Sequence, residues 1–185
     1  MNTPARPLIL ISNDDGYKAK GINELIRFLR PLADLVVVAP DGPRSGASSF
    51  ITMDRDLMIR LIRKEPGLSV YAVDGSPVDC VKLAFYSQAL DGRTPDVVIA
   101  GINPGDNASL TVHYSGTMGA AKEGCLKGIP SIGFSLTDNG LEPDFGAARM
   151  YVYAIIYEAF RQRMPSNVCL NVNIPAVPKE EIKGV

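Results

Sequence analysis

The sequence predicts an α/β fold with a mostly parallel sheet covered on both faces, and three observations carry that prediction. Short β-branched runs alternate with stretches of helical periodicity. The runs are apolar throughout, as strands buried on both faces are, rather than apolar at every second position. A single charged, turn-rich stretch interrupts the rhythm as a β-hairpin extension would.

In chain order, Leu8 to Ser12 is the first predicted strand, and Ile22, Leu25, Ile26, Leu29 and Leu32 fall on one face of a helix over Gly21 to Leu32. Leu35 to Ala39 is the second strand. Leu57 to Ile62 and Ser69 to Val73 form the hairpin, joined by Arg63-Lys64-Glu65-Pro66-Gly67. Ser76-Pro77-Val78-Asp79 places a cap, a proline at the first helical position and an acid in the first turn, so a helix is expected from there to about Leu90. Val97 to Ala100 is the next strand, Ser115 to Gly128 the next helix, and Ser131 to Leu136 a further strand. A helix over Pro143 to Arg163, with a wide stripe running from Ala147 to Phe160, and a strand over Val168 to Ile174 complete the reading.

Composition narrows the function. A chain of 185 residues, 46% hydrophobic, suffices for one sizeable core, and no repeat, low-complexity tract or linker divides it, so one domain over 1–185 is expected. With 19 basic and 20 acidic residues interspersed, no basic stripe offers the attraction that duplex DNA requires. The residues Met1 to Pro7 lack the apolar core of a secretory leader, and no apolar run has membrane-spanning length. Cys80, Cys125 and Cys169 are widely spaced, without a CxxC pair or zinc spacing, and read as reduced, mostly buried thiols of a cytoplasmic protein.

In an open α/β sheet, ligands gather beyond the carboxyl ends of the strands. Three loops there are unusual: Ser12-Asn13-Asp14-Asp15-Gly16, the stretch from Ala39 to Ser49, and Gly101 to Asn107. Asn-Asp-Asp-Gly is good turn chemistry in itself. Two adjacent carboxylates at a strand end also repel each other unless a cation sits beside them, and oxygen ligands suit Mg²⁺, Mn²⁺ or Ca²⁺. Ser45, Ser48, Ser49, Asn103 and Asn107 offer neutral oxygens from neighbouring loops, and this convergence favours the metal.

The stretch "YSGTMGAAKEG" opens a helix at Ser115 with the N–H groups of Gly116 and Thr117 free for an anion such as phosphate. An ordinary capped helix with small packing residues is the plain alternative. His113, the sole histidine, is a minor acid–base candidate, and Arg44 is equally a phosphate ligand or a solvated cation.

Together "ILISNDDG", "VVAPDGPRSGASSFIT", "DGSPVDCVKLA", "PDVVIAGINPG" and "YSGTMGAAKEG", followed by "GIPSIGFSL", resemble the SurE family of metal-dependent 5'-nucleotidases, in the family's order. "LNVNIP" adds a weaker match. The resemblance implies a Rossmann-like, three-layer sandwich that hydrolyses nucleoside 5'-monophosphates, and also other phosphomonoesters or short polyphosphate, with one divalent cation, Mg²⁺ or Mn²⁺. It assigns Asp14, Asp15, Ser45 and Asn103 to the metal, Ser115, Gly116 and Thr117 to the phosphate, and catalytic roles to Asp14, Asn107 and Ser115. It also implies a homodimer or higher homo-oligomer.

The chain departs from the family at Tyr17-Lys18-Ala19-Lys20, at Asp106 and at His113, and stops before the family's C-terminal extension. The alternative is a nucleotide-binding module that does not turn over. A dinucleotide enzyme is set aside, since no GxGxxG follows the first strand. Tyr17, Phe50 and Tyr114 are the aromatic candidates for stacking a base.

Overall fold

The computed structural model describes residues 6–137 and 143–184. The predicted absence of a leader therefore rests partly on residues outside that range. The first strand, β1 (Leu8–Ser12), is buried at all five positions, which is why its sequence is apolar without alternation. Helix α1 (Lys20–Leu29) turns Ile22, Leu25, Ile26 and Leu29 onto the sheet and leads to β2 (Asp34–Pro40). The hairpin follows as β3 (Ile59–Glu65) and β4 (Leu68–Val73), turning on Pro66-Gly67. Then come α2 (Pro77–Tyr86), β5 (Val97–Pro104), α3 (Gly116–Leu126), β6 (Ser131–Thr137), α4 (Ala148–Arg161) and β7 (Cys169–Pro175).

The described residues form one seven-stranded sheet in the order β3-β4-β2-β1-β5-β6-β7, parallel except for β3. The α/β class with its mostly parallel sheet and hairpin arm is as predicted. Helices α1 and α4 cover one face, around Phe28, Phe134 and Phe145, and α2 and α3 cover the other, around Leu10, Val98 and Met118. From β1 the chain works outward through β2 to the hairpin, then returns to β5 on the other side of β1. The direction of winding reverses between β1 and β5, and the crevice at their carboxyl ends is where such a sheet binds ligands.

Several boundaries differ from the sequence reading. Helix α1 ends at Leu29, not Leu32: Leu32 is half exposed, so it has no core contact to hold the last turn. Helix α2 stops at Tyr86 because Ser87 is extended and its hydroxyl accepts from the Ala89 N–H, which opens a separate 3₁₀ turn over Gln88–Leu90. Helix α4 begins at Ala148 rather than Pro143, since the Asp144 carboxylate accepts from the Gly146 N–H and holds the chain in a turn. Its stripe is also narrower than predicted, with Ala148, Val152 and Ile156 buried but Phe160 substantially exposed. Strand β3 starts at Ile59 and runs on through Arg63–Glu65, because pairing with β4 rather than burial decides this exposed ribbon. Of the three free thiols only Cys80 is buried, and Cys125 and Cys169 are half-buried.

Candidate active site at the carboxyl end of the sheet

Asn13 makes the turn after β1. Its side-chain nitrogen donates to the Gly16 carbonyl at 3.0 Å and its side-chain oxygen accepts from the Gly16 N–H at 3.1 Å. Gly16 completes the turn with φ +96°, and a Cβ there would lie 3.1 Å from the Gly42 backbone. Since one asparagine and one glycine suffice for the turn, neither aspartate is needed for it.

Asp14 is buried, and its carboxylate lies against the start of α3. The Thr117 hydroxyl donates to Asp14 Oδ1, and the backbone N–H groups of Gly116 and Thr117 lie close enough to favour the charged carboxylate. A Cβ on Gly116 would come within 2.7 Å of Asp14 Cβ, so only glycine admits this approach. The anion-binding helix start read from Ser115 to Thr117 therefore faces a carboxylate of the chain itself. Burial nonetheless pushes the Asp14 carboxyl above its ordinary range, against these groups.

Asp15 stands beside it with no such support. Burial, and then the neighbouring Asp14 charge, push its carboxyl up to about 6, and its Oδ2 is buried without a hydrogen-bond partner. No Lys, Arg or His forms an ion pair with either aspartate among the described residues. An acid pair largely withdrawn from water without a counter-charge is costly, and a divalent cation bound to oxygen would relieve it.

The second loop closes over this pair. The Arg44 N–H donates to the Asp14 carbonyl at 2.6 Å, which sets the adjacent Ser45 beside the acid turn, exposed. The Arg44 side chain pairs with Asp41 at 2.9 Å, leaving Arg44 tied within its own loop. Further along, Ser48 takes φ +52°, and its hydroxyl donates to the His113 carbonyl at 2.6 Å while its N–H donates to the Tyr114 carbonyl at 3.1 Å. Ser76 and Asp79, a reciprocal cap on α2, fasten the far end of the loop through Phe50 and Thr52.

Asn103 and Asn107 come from the β5 side. Strand β5 continues past the predicted Ala100 to Pro104, its register with β6 shifting between Ala100 and Asn103. The Asn103 side-chain nitrogen donates to the Gly105 carbonyl at 2.8 Å, and among the described residues neither Asn103 nor Ser45 is hydrogen-bonded to an aspartate carboxylate. Asn107 is buried, with its side-chain nitrogen on Ser135 Oγ at 2.8 Å and its backbone bonded to Asn173 and Asn171. Ser115 is buried as well, its oxygen accepting from the Met118 N–H at 3.0 Å.

The structure thus joins Asp14 to Thr117 and packs it on Gly116, keeps Asp15 next to it in the turn, brings Ser45 toward that turn through the neighbouring Arg44 N–H, and sets Asn103 and Asn107 at the end of β5. The two aspartates, a serine hydroxyl and an asparagine carbonyl would make an all-oxygen donor set, the kind Mg²⁺ and Mn²⁺ take. Among the described residues no group of three His, Cys, Asp or Glu side chains assembles, which is the arrangement a zinc site would need. His113 and Tyr114 are exposed, and both meet Ser48 through their carbonyls.

Asn171, Asn173, Ser135 and Ser12 border these residues although the sequence does not single them out as site residues. Ser12, at the end of β1, is fully buried with its hydroxyl unpartnered among the described residues. The alternating asparagines of "LNVNIP" are the signal that could have drawn attention to β7, because two amides spaced by two residues share one face of a strand.

A family model described as "Survival protein SurE" matches residues 9–185. The chain is 54% identical over 180 residues to the 5'-nucleotidase SurE of Bacteroides fragilis, covering 97% of this chain and 69% of that protein. It is 52% identical to the 5'-nucleotidase SurE of Bacteroides thetaiotaomicron, covering 97% and 68%. The crystal structure of the SurE protein from Aquifex aeolicus superposes with a TM-score of 0.86 at 39% identity, covering 97% of this chain and 70% of that one.

Proposed function

The chain belongs to the SurE family, and from that premise we propose that it is a 5'-nucleotidase that releases phosphate from nucleoside 5'-monophosphates with one divalent cation, Mg²⁺ or Mn²⁺. The observation that carries the cation is the Asp14–Asp15 pair, buried at Asp14 and half-buried at Asp15, with its turn made by Asn13 and with Asp15 Oδ2 unpartnered among the described residues. In this reading Asp14, Asp15, Ser45 and Asn103 hold the ion. When bound, it would polarise the phosphoryl group and lower the pKa of a bound water.

The chain's own residues supply the rest. Asp14 is oriented by the Thr117 hydroxyl and by its packing on Gly116, so its second oxygen keeps a fixed direction. The Ser115 oxygen accepts from Met118, which leaves the hydroxyl proton free to donate to a phosphate oxygen. Gly116 and Thr117 bring the positive end of α3 to the same point, where negative charge on the transferring group is favoured. Asn107 keeps one side-chain N–H beyond the one given to Ser135, and directs it to the charge that builds on the phosphoryl oxygens.

Other phosphomonoesters and short polyphosphate would share this phosphate-centred chemistry. The free state of all three cysteines fits a reducing compartment, and we place the enzyme in the cytoplasm as a homodimer or larger homo-oligomer on the family resemblance. Among the described residues no helix is long and apolar enough to cross a membrane.

The test is phosphate release from a panel of nucleoside 5'-monophosphates, using metal-stripped protein with Mg²⁺ or Mn²⁺ withheld or restored. Turnover that requires the ion and is nearly abolished in Asp14→Asn is the expected result. Nucleotide that binds and stays intact under every cation would favour a binding module, and wild-type turnover in Asp14→Asn would refute the assignment of Asp14.

A further inference from the structure

We infer that Asn171 and Asn173, on strand β7, are positioning residues that hold Asn107 in place for phosphoryl transfer. The inference rests on the catalytic role given to Asn107 above and extends it to residues without an assigned role.

Asn107 lies in the loop that leaves β5, outside any helix or strand, yet it is buried. Its backbone N–H donates to Asn173 Oδ1 at 2.7 Å, and its carbonyl accepts from Asn171 Nδ2 at 2.8 Å. The Asn173 side-chain nitrogen donates to Asn171 Oδ1 at 3.1 Å. These three bonds form a closed ring, each residue donating to the next, and such rings strengthen their members mutually.

The backbone groups also settle which way both amides face. An N–H can only donate, so Asn173 must present oxygen, and a carbonyl can only accept, so Asn171 must present nitrogen. Residues two apart on a strand share one face, and the two amides offer Asn107 an acceptor and a donor much as a neighbouring strand's backbone would. With the backbone fixed on β7 and the side chain tied to Ser135 on β6, Asn107 has little freedom left. A loop residue that must point one N–H at a developing charge needs that restraint, since small displacements of a catalytic group cost rate.

The experiment compares Asn171→Asp, Asn173→Leu and Asn173→Asp with wild type and with Asn107→Ala, on a nucleoside 5'-monophosphate with Mn²⁺. Asn171→Asp keeps the shape but replaces the donor by an acceptor facing a carbonyl. Asn173→Leu removes the acceptor, whereas Asn173→Asp retains it for the Asn107 N–H and gives up only the exposed bond to Asn171 Oδ1. The first two should lower kcat about tenfold with KM within about twofold of wild type, and leave the thermal shift produced by Mn²⁺ unchanged. Asn173→Asp should return to within about threefold of wild type. Amide hydrogen exchange across residues 104–110 should quicken in Asn173→Leu and less so in Asn173→Asp.

Folded Asn171→Asp and Asn173→Leu with wild-type kcat, while Asn107→Ala is inactive, would overturn the inference alone. So would Asn173→Asp that is no better than Asn173→Leu. Full turnover by Asn107→Ala would instead remove the role given to Asn107, and the inference with it.

Discussion

Replacing Asp15 by Asn should make the metal-free protein more stable while removing its response to the cation. In the folded chain the Asp15 carboxyl is pushed up to about 6 from an ordinary 3.8, first by burial and then by the Asp14 charge. A proton is therefore bound more tightly in the folded than in the unfolded chain, and ionisation of Asp15 opposes folding. That cost is absent below pH 3.8, grows as the pH rises, and is fully present above about 6. Each unit of pKa is worth about 1.4 kcal/mol, so the cost at pH 8 has a ceiling of about 3 kcal/mol, and partial exposure of Asp15 brings the expected gain in Asp15→Asn to about 1–3 kcal/mol.

Urea unfolding in EDTA at pH 5 and pH 8 measures it. The quantity to follow is the difference between variant and wild type, which should widen towards pH 8. Either profile alone mixes in groups of opposite sign, such as Asp74, which the Met58 N–H holds below its ordinary range and which therefore loses its stabilising effect at low pH. Adding Mn²⁺ should stabilise wild type and have little effect on Asp15→Asn. Equal or lower stability of Asp15→Asn in EDTA at pH 8 would refute the reasoning.

Gly116→Ala would place a Cβ 2.7 Å from Asp14 Cβ, and should lower kcat/KM by about 100-fold by displacing the carboxylate, with the fold kept by circular dichroism. Thr117→Val removes a bond that favours ionised Asp14, so the acidic limb of the pH–rate profile should move to higher pH, while Thr117→Ser should leave it in place. Gly21→Ala would set a Cβ 1.9 Å from the Ile102 carbonyl oxygen, and should cost about 1–3 kcal/mol in urea unfolding as α1 is pushed off β5.

What could be read in the sequence was what local chemistry decides. Strand β1 is found at its predicted bounds because burial on both faces leaves four consecutive apolar residues, closed by Ser12, with one role. The start of α2 is written in Ser76, Pro77 and Asp79, and the structure shows the reciprocal cap they predict. The hairpin arm was less legible, since β3 is largely exposed and its extent is set by its partner. The same holds for the outer stripe of α4, where apolar residues did not guarantee cover.

In the site, the acid pair could be seen, and Asn13 as turn-maker lay within the same five residues. That the α3 helix start addresses Asp14 could not be seen, because Thr117 reaches it across 103 positions. Nor could the ring around Asn107, whose partners lie 64 and 66 residues further along the chain.

In the proposed reading Asp14 and Asp15 hold one divalent cation on which phosphate release depends. It is tested most directly by titrating metal-stripped protein with Mn²⁺, following bound ion by electron paramagnetic resonance and phosphate release in the same samples. Both signals should rise together and saturate at one ion per chain, and Asp14→Asn should show neither. Full phosphate release in the stripped, chelated protein, or unchanged Mn²⁺ binding in Asp14→Asn, would contradict it.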